Sequence, residues 1–91
     1  MKVHELLSKP GSWCQYCYGV DARGIQQYGD LSGCVEYDLV GAVLRCYGYR
    51  DSWAVYKKLC SLLGVKNLVA WNDDPERTRE DVVNLCKRSD I

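Results

Sequence analysis

The tetrapeptide Cys14-Gln15-Tyr16-Cys17 carries the clearest chemical spacing in the chain. Two thiols separated by two residues make half of a zinc site, or the reactive pair of a disulfide oxidoreductase. Zinc needs two more ligands, which would have to come from His4 and Cys34, and no second closely spaced pair occurs among the six cysteines. Redox use asks for a helix amino terminus to stabilise the attacking thiolate, whereas Cys17 runs on into Tyr18-Gly19. Regular strand geometry would also send positions 14 and 17 to opposite faces. Cys46, Cys60 and Cys86 fall at helical spacing among Val, Leu and Tyr, where a reduced thiol behaves as a small hydrophobe. The expectation is free thiols, with no metal and no cofactor.

Asp73, Asp74 and Glu76, beside Asn72, offer oxygen ligands to a hard cation and form the basis for a small metal-dependent hydrolase. Their spacing fits no calcium loop. The same residues suit a turn in which Asn72 and Asp73 bond to the backbone, and Arg77 clamps Asp73 or a carbonyl beside Trp71. Thr78 with Asp81 is close to a capping box. Trp71, Asn72, Asp73, Arg77 and Thr78 therefore read as a structural motif. His4 is the sole histidine, has no partner at a recognisable spacing and reads as a half-exposed surface residue. Without a glycine-rich phosphate loop or nucleophile elbow, no catalytic residue is assigned.

A third candidate surface comprises Arg45, Tyr47, Tyr49, Arg50, Lys57 and Lys58. Twelve bases balance twelve acids overall, so no net field draws the chain to nucleic acid or to an anionic membrane. Neutrality conceals polarity. Leu39 to Ala70 holds five bases and one acid, whereas Trp71 to Cys86 holds five acids and two bases. Basic charge interleaved with aromatics can bind nucleotides or single-stranded nucleic acid. Seven tyrosines and no phenylalanine suit partly exposed rings whose hydroxyls reach water or a partner.

The elements that must position these groups follow from periodicity. At 91 residues, 47% hydrophobic and 26% charged, the chain has the composition of one globular domain spanning residues 1–91. Val3, Leu6 and Leu7 share one side of a short helix from Lys2 to Ser8, stopped by Pro10-Gly11. Ser12 to Gln27 predicts a β-hairpin turning at Asp21-Ala22-Arg23-Gly24. From Leu31 to about Cys46, the positions Val35, Leu39, Ala42, Val43 and Cys46 predict a central helix, with Tyr37, Val40, Leu44 and Tyr47 as a second stripe. Gly41-Ala42 within it suits close approach of another backbone. After a loop at Gly48-Tyr49-Arg50, Asp51 or Ser52 caps a third helix whose inner stripe is Trp53, Tyr56, Leu59, Cys60 and Leu63, ended by Gly64. Val65 to Trp71 could be extended, and Thr78 opens the last helix. The fold class is α+β and mainly helical, with about four short helices and a small β-hairpin after the first. The amino-terminal run Met1 to Gly11 has neither a signal-peptide core nor a membrane span, so the protein is expected in the cytoplasm, without membrane association.

Trp71-Asn72-Asp73-Asp74-Pro75-Glu76-Arg77-Thr78, followed by an acidic residue and Val82, resembles the carboxy-terminal motif of an uncharacterised family of small bacterial and phage proteins. Tyr37 to Leu44 and Gly11-Ser12-Trp13 are similar to that family's helix and its approach to the hairpin. Cys14 and Cys17 depart from the pattern, standing where polar or small residues are expected. The resemblance implies a fold and no activity. A binding module needs only a suitable surface, while an enzyme needs a convergent polar site that one histidine and scattered acids do not supply. The expected function is thus a non-enzymatic interaction protein, of phage accessory or anti-defence type, with a protein partner. The alternatives are a nucleotide or single-stranded nucleic-acid binder and the hydrolase above.

Overall fold

The structure is a computed structural model describing Met1–Ile91. Helix α1, Val3–Leu7, buries Val3 and Leu7 completely and is too short to stand without docking. It lies against the carboxy-terminal helix. The Lys2 ammonium donates to the Asp90 carbonyl at 3.0 Å and pairs with its carboxylate at 3.1 Å, and His4 N–H reaches the Ile91 carbonyl.

Strands β1, Gly19–Asp21, and β2, Gln26–Gln27, form the predicted antiparallel hairpin. Its turn is set by Asp21, whose carboxylate accepts from the N–H groups of Ile25 and Arg23 and from the Arg23 guanidinium. The bond from Ile25 N–H leads in holding that carboxyl down at about 2.

A third strand replaces the first part of the predicted central helix. Cys34–Tyr37 forms β3, which pairs antiparallel with β1 through a bulge at Val20/Asp21 and gives a sheet ordered β2-β1-β3. Cys34 and Tyr37 turn inward, while Val35 is 54% exposed and so stands outside the stripe assigned to it. Val35 and Leu39 lie four residues apart, as in a helix, but the β1 backbone needed a pairing partner and Asp38 starts the helix only after Tyr37.

Helix α2 spans Leu39–Leu63. The buried Asp38 caps it by accepting from Gly41 N–H, and a Cβ at Gly41 would sit 1.8 Å from the Tyr18 carbonyl oxygen. The close backbone approach expected at Gly41 is therefore made by the segment leading into β1. The predicted loop at residues 48–50 contracts to one residue: Gly48, with φ +76° and ψ 168°, kinks the helix, which resumes at once. Gly64 closes it in the left-handed conformation with φ +69°.

The next segment is helical where extended chain was considered. Asn67 caps α3, Leu68–Asn72, by accepting from Ala70 N–H at 3.1 Å. Thr78 and Asp81 form the predicted capping box of α4, Arg79–Arg88. Val82, Leu85 and Cys86 join Val3, Leu7, Leu39, Ala42, Val43, Leu59 and Leu68 in one apolar cluster. Burial there pushes the Cys86 thiol up to about 12. The architecture is α+β and mainly helical, and no helix is long and apolar enough to cross a membrane.

Candidate functional site

Cys14 and Cys17 are not on a regular strand. Cys14 N–H still bonds the Tyr37 carbonyl at 3.1 Å, but the chain then bends sharply, with Tyr16 at φ +69°, and brings the two sulfurs to 3.7 Å. The expectation of opposite faces fails because a tight turn, rather than a strand, separates the pair. Tyr16 occupies a region that disfavours a side chain with a Cβ, so neighbouring structure must hold it there.

Asn72 and its neighbours do so. Asn72 is wholly buried: its Oδ1 accepts from Trp13 Nε1 at 2.7 Å and Leu39 N–H at 3.0 Å, while its Nδ2 donates to the Cys14 carbonyl and to Asp73. Asp73 Oδ1 accepts from Tyr16 N–H at 2.9 Å, and Gln15 Nε2 donates to the carbonyls of Asn72 and Asp74. The thiol turn is thus fixed by the end of α3. Arg77 Nε donates to the Trp71 carbonyl at 2.9 Å with its guanidinium 3.9 Å over the Trp71 ring, and its acidic neighbour is Asp74 at 4.0 Å rather than Asp73. Thr78 takes its place in the cap of α4.

Beside the turn is a cavity of about 240 Å³ lined by Tyr16, Cys17, Tyr18, Tyr28, Asp38, Val69 and Asp73. Asp38 is 1% exposed, and its Oδ2 is buried with no hydrogen-bond partner. Burial raises the Asp38 carboxyl to about 7, the Gly41 N–H opposing and Asp73 adding to the shift. Burial is also the first cause that pushes both thiols up, Cys14 furthest, with nearby carboxylates adding to it. Sequence reasoning missed Asp38. Its one signal was an Asp three residues ahead of Gly41, a capping position that says nothing of the thiols nearby.

No three His, Cys, Asp or Glu side chains are grouped so that they could hold a metal ion. His4 lies on α1, half-buried, and Cys34 on β3. Asp73 and Asp74 spend carboxylate oxygens inside the turn, the latter on Glu76 N–H at 2.9 Å.

The basic aromatic residues separate on folding. Tyr47 is half-buried against the core, and Arg45 borders a depression with Gly29 and Asp30. Lys58 donates to the Ser89 carbonyl at 2.9 Å, at the end of α4. Arg50 and Lys57 are exposed, as is Tyr49 at 71%, whose hydroxyl donates to the Gly29 carbonyl. Trp53 departs from its assigned inner stripe: it is 62% exposed and stacked on Tyr56, with ring centroids 5.5 Å apart and planes at 16°. Tyr56, Leu59, Cys60 and Leu63 of the same stripe do pack on the core, so it is only the first position, Trp53, that the core leaves uncovered. Tyr49, Trp53 and Tyr56, with Val40, Val43, Leu44, Ser52 and Leu68, enclose a groove of about 260 Å³ that no charged side chain lines.

These features define a small α+β protein with a tied thiol turn and, separately, an open aromatic groove. The chain belongs to a family of unknown function, DUF6197, whose model matches residues 1–89. No curated protein and no solved structure matches it.

Proposed function

We propose that the protein is a non-enzymatic interaction domain that seats an apolar or aromatic side chain of a protein partner in the Tyr49–Trp53–Tyr56 groove. The observation that carries this reading is the groove's lining, seven apolar or aromatic residues and one serine, beside a tryptophan left largely in water. An exposed, stacked tryptophan beside a preformed apolar recess has the composition of a binding hot spot. Arg50 and Lys57 stand near it on the second half of α2, within the segment from Leu39 to Ala70 where five bases face one acid, so acidic residues should flank the partner's anchor.

Single-stranded nucleic acid is the second reading, and the arrangement of bases favours it less. Lys58 is engaged at α4, Arg45 sits beside Asp30, and Tyr47 is packed against the core. Besides Lys58, four exposed bases, Arg45, Arg50, Lys57 and Lys66, stand in this part of the chain, a modest number for a route on which affinity grows with each phosphate neutralised. The proposal includes a cytoplasmic accessory or anti-defence role on a host macromolecule, in a bacterium or phage, with which this surface is compatible.

Selection from displayed random peptides, followed by fluorescence anisotropy at physiological ionic strength, tests the reading. The expected enrichment is a Trp, Phe or Leu anchor next to Asp or Glu, with binding weakened by about 2 kcal/mol or more in Trp53→Ala. Failure to enrich any anchor, or unchanged binding by Trp53→Ala, would overturn it. So would submicromolar single-strand binding that falls with both Lys57→Glu and Tyr49→Ala.

A further inference from the structure

The Cys14–Cys17 turn lies outside that groove and has features that packing alone does not require. Its sulfurs are 3.7 Å apart, and Cys17 opens onto the cavity that is also lined by Tyr28, Val69, Asp73 and Asp38, whose Oδ2 is buried without a partner. The turn bears a left-handed non-glycine residue, Tyr16, clamped by Asp73. Strain held by a dedicated clamp next to a nucleophile suggests a geometry kept for use.

We propose that Cys14 and Cys17 are a dithiol that reduces a disulfide-bearing substrate entering the cavity beside Cys17, closing in the process to an intramolecular disulfide. Cys17 gives up its proton and its sulfur attacks one sulfur of the substrate disulfide, breaking that S–S bond and releasing the first substrate thiolate. Cys14 then gives up its proton and attacks Cys17, releasing the second. The two protons end on the two departing thiolates. Two cysteine thiols are oxidised to one disulfide and one substrate disulfide is reduced to two thiols, so the electrons balance.

Each role follows from position. Cys17 is the attacking sulfur because it lines the cavity, whereas Cys14 does not. Cys14 is the resolving sulfur, held behind it by the Asn72 bond to its carbonyl. Closing the disulfide requires the sulfurs to approach to about 2 Å, a movement of side-chain rotation within a turn already formed. Thiolate stabilisation is what makes a dithiol pair oxidising, and here it is opposed: Asp38, Glu36 and Asp73 surround the pair, and no Lys, Arg or His lines the cavity. The pair therefore belongs to the reducing end of the range. Asp38 lines the same cavity as Cys17 without bonding to it, and its carboxylate would take up the thiol proton through a water or a substrate group lying between them.

The test is equilibration of the full chain, folded, in glutathione buffers of graded potential, with free thiols then alkylated and mapped by mass spectrometry. The expected result is a two-electron transition confined to Cys14 and Cys17, with Cys34, Cys46, Cys60 and Cys86 remaining alkylatable. Cys14→Ser should accumulate glutathione on Cys17. Asp38→Asn should slow exchange by about tenfold or more and remove the inflection near neutral pH from the rate profile, with the fold intact by circular dichroism. Dithiols that persist across the series, a Cys17–Cys34 bridge, or Cys17 trapped no faster than the half-exposed Cys60 would each overturn the proposal, and the first two are read on the unmodified chain. An Asp38→Asn profile superimposable on the parent would remove the proton-accepting role. Trp53→Ala should leave the transition unchanged, so this result stands or falls apart from the groove.

Discussion

Two regions of the molecule treat their side chains in opposite ways. Around Asn72, polar groups are buried and nearly all bonded, with Trp13, Cys14, Gln15, Tyr16 and Leu39 tied to two consecutive residues, Asn72 and Asp73, and their carbonyls. Around Gly48, large apolar groups face water and few bonds hold them, the Tyr49 and Tyr56 hydroxyls reaching only backbone groups of neighbouring segments. Buried polar networks fix one geometry because an unmade bond is expensive there. An exposed apolar groove gains little from the fold and is stabilised by what covers it. The contrast gives fold specification to the first region and leaves the second free for the recognition proposed above.

The strongest way to break that contrast is at Asn72. Asn72→Ala leaves the Trp13 indole N–H, the Leu39 N–H and the Cys14 carbonyl without their partner, and should destabilise the protein by about 3–4 kcal/mol in urea unfolding. A loss below about 1 kcal/mol would mean that water replaces the hub, and the assignment would fail.

Next in size is the pH response of Asp38. Its carboxyl is raised from 3.8 to about 7 in the fold, so the folded state binds the proton more tightly than the unfolded chain. That contribution to stability is fully present below about pH 4 and is lost as pH rises through about 7, a change on the order of a few kcal/mol. Asp21, Asp30 and Asp90 are shifted down and act in the opposite sense, below the usual carboxylate range, so they do not mask this window. Melting temperature should therefore fall between about pH 5 and pH 8, and Asp38→Asn, which retains a capping oxygen, should flatten the slope. A slope that survives in Asp38→Asn would place its source elsewhere.

The smallest expected effect sharpens the comparison from the other side. Trp53→Ala removes a ring that is 62% exposed, and should change unfolding free energy by no more than about 0.5–1 kcal/mol, mostly the stack on Tyr56. A loss comparable to that of Asn72→Ala would make Trp53 part of the fold.

What the sequence disclosed follows the same division. Caps and turns were legible because their chemistry is local: Thr78 with Asp81, Gly64 at the end of α2, Asp21 to Gly24 in the hairpin, and Gly41 where a backbone crosses. β3 was not, because Val35, Leu39 and Ala42 satisfy a helical repeat equally well and only pairing with β1 decides between them. The helix Leu68–Asn72 was missed because its run of Leu, Val, Ala and Trp suits a strand until Asn67 is recognised as its cap. The site was least legible. Cys14, Cys17 and Asp38 are brought together by a residue far along the chain, and Trp53 is left 62% exposed although it is spaced like the packed positions of its own helix. Neither effect leaves a trace in local spacing.

The bonds of Asn72 also bear on time. They join it to residues 33, 58 and 59 positions away, so none can form until the hairpin segment, the start of α2 and the end of α3 have already met. Contacts that close such long loops are assembled late, after the helices and the hairpin have formed on their own shorter scales. Interactions absent from the transition state govern how fast a protein comes apart rather than how fast it assembles. Asn72 is therefore expected to act as a latch, so that Asn72→Ala speeds unfolding more than it slows folding in stopped-flow measurements and frees the thiol turn on the same time scale.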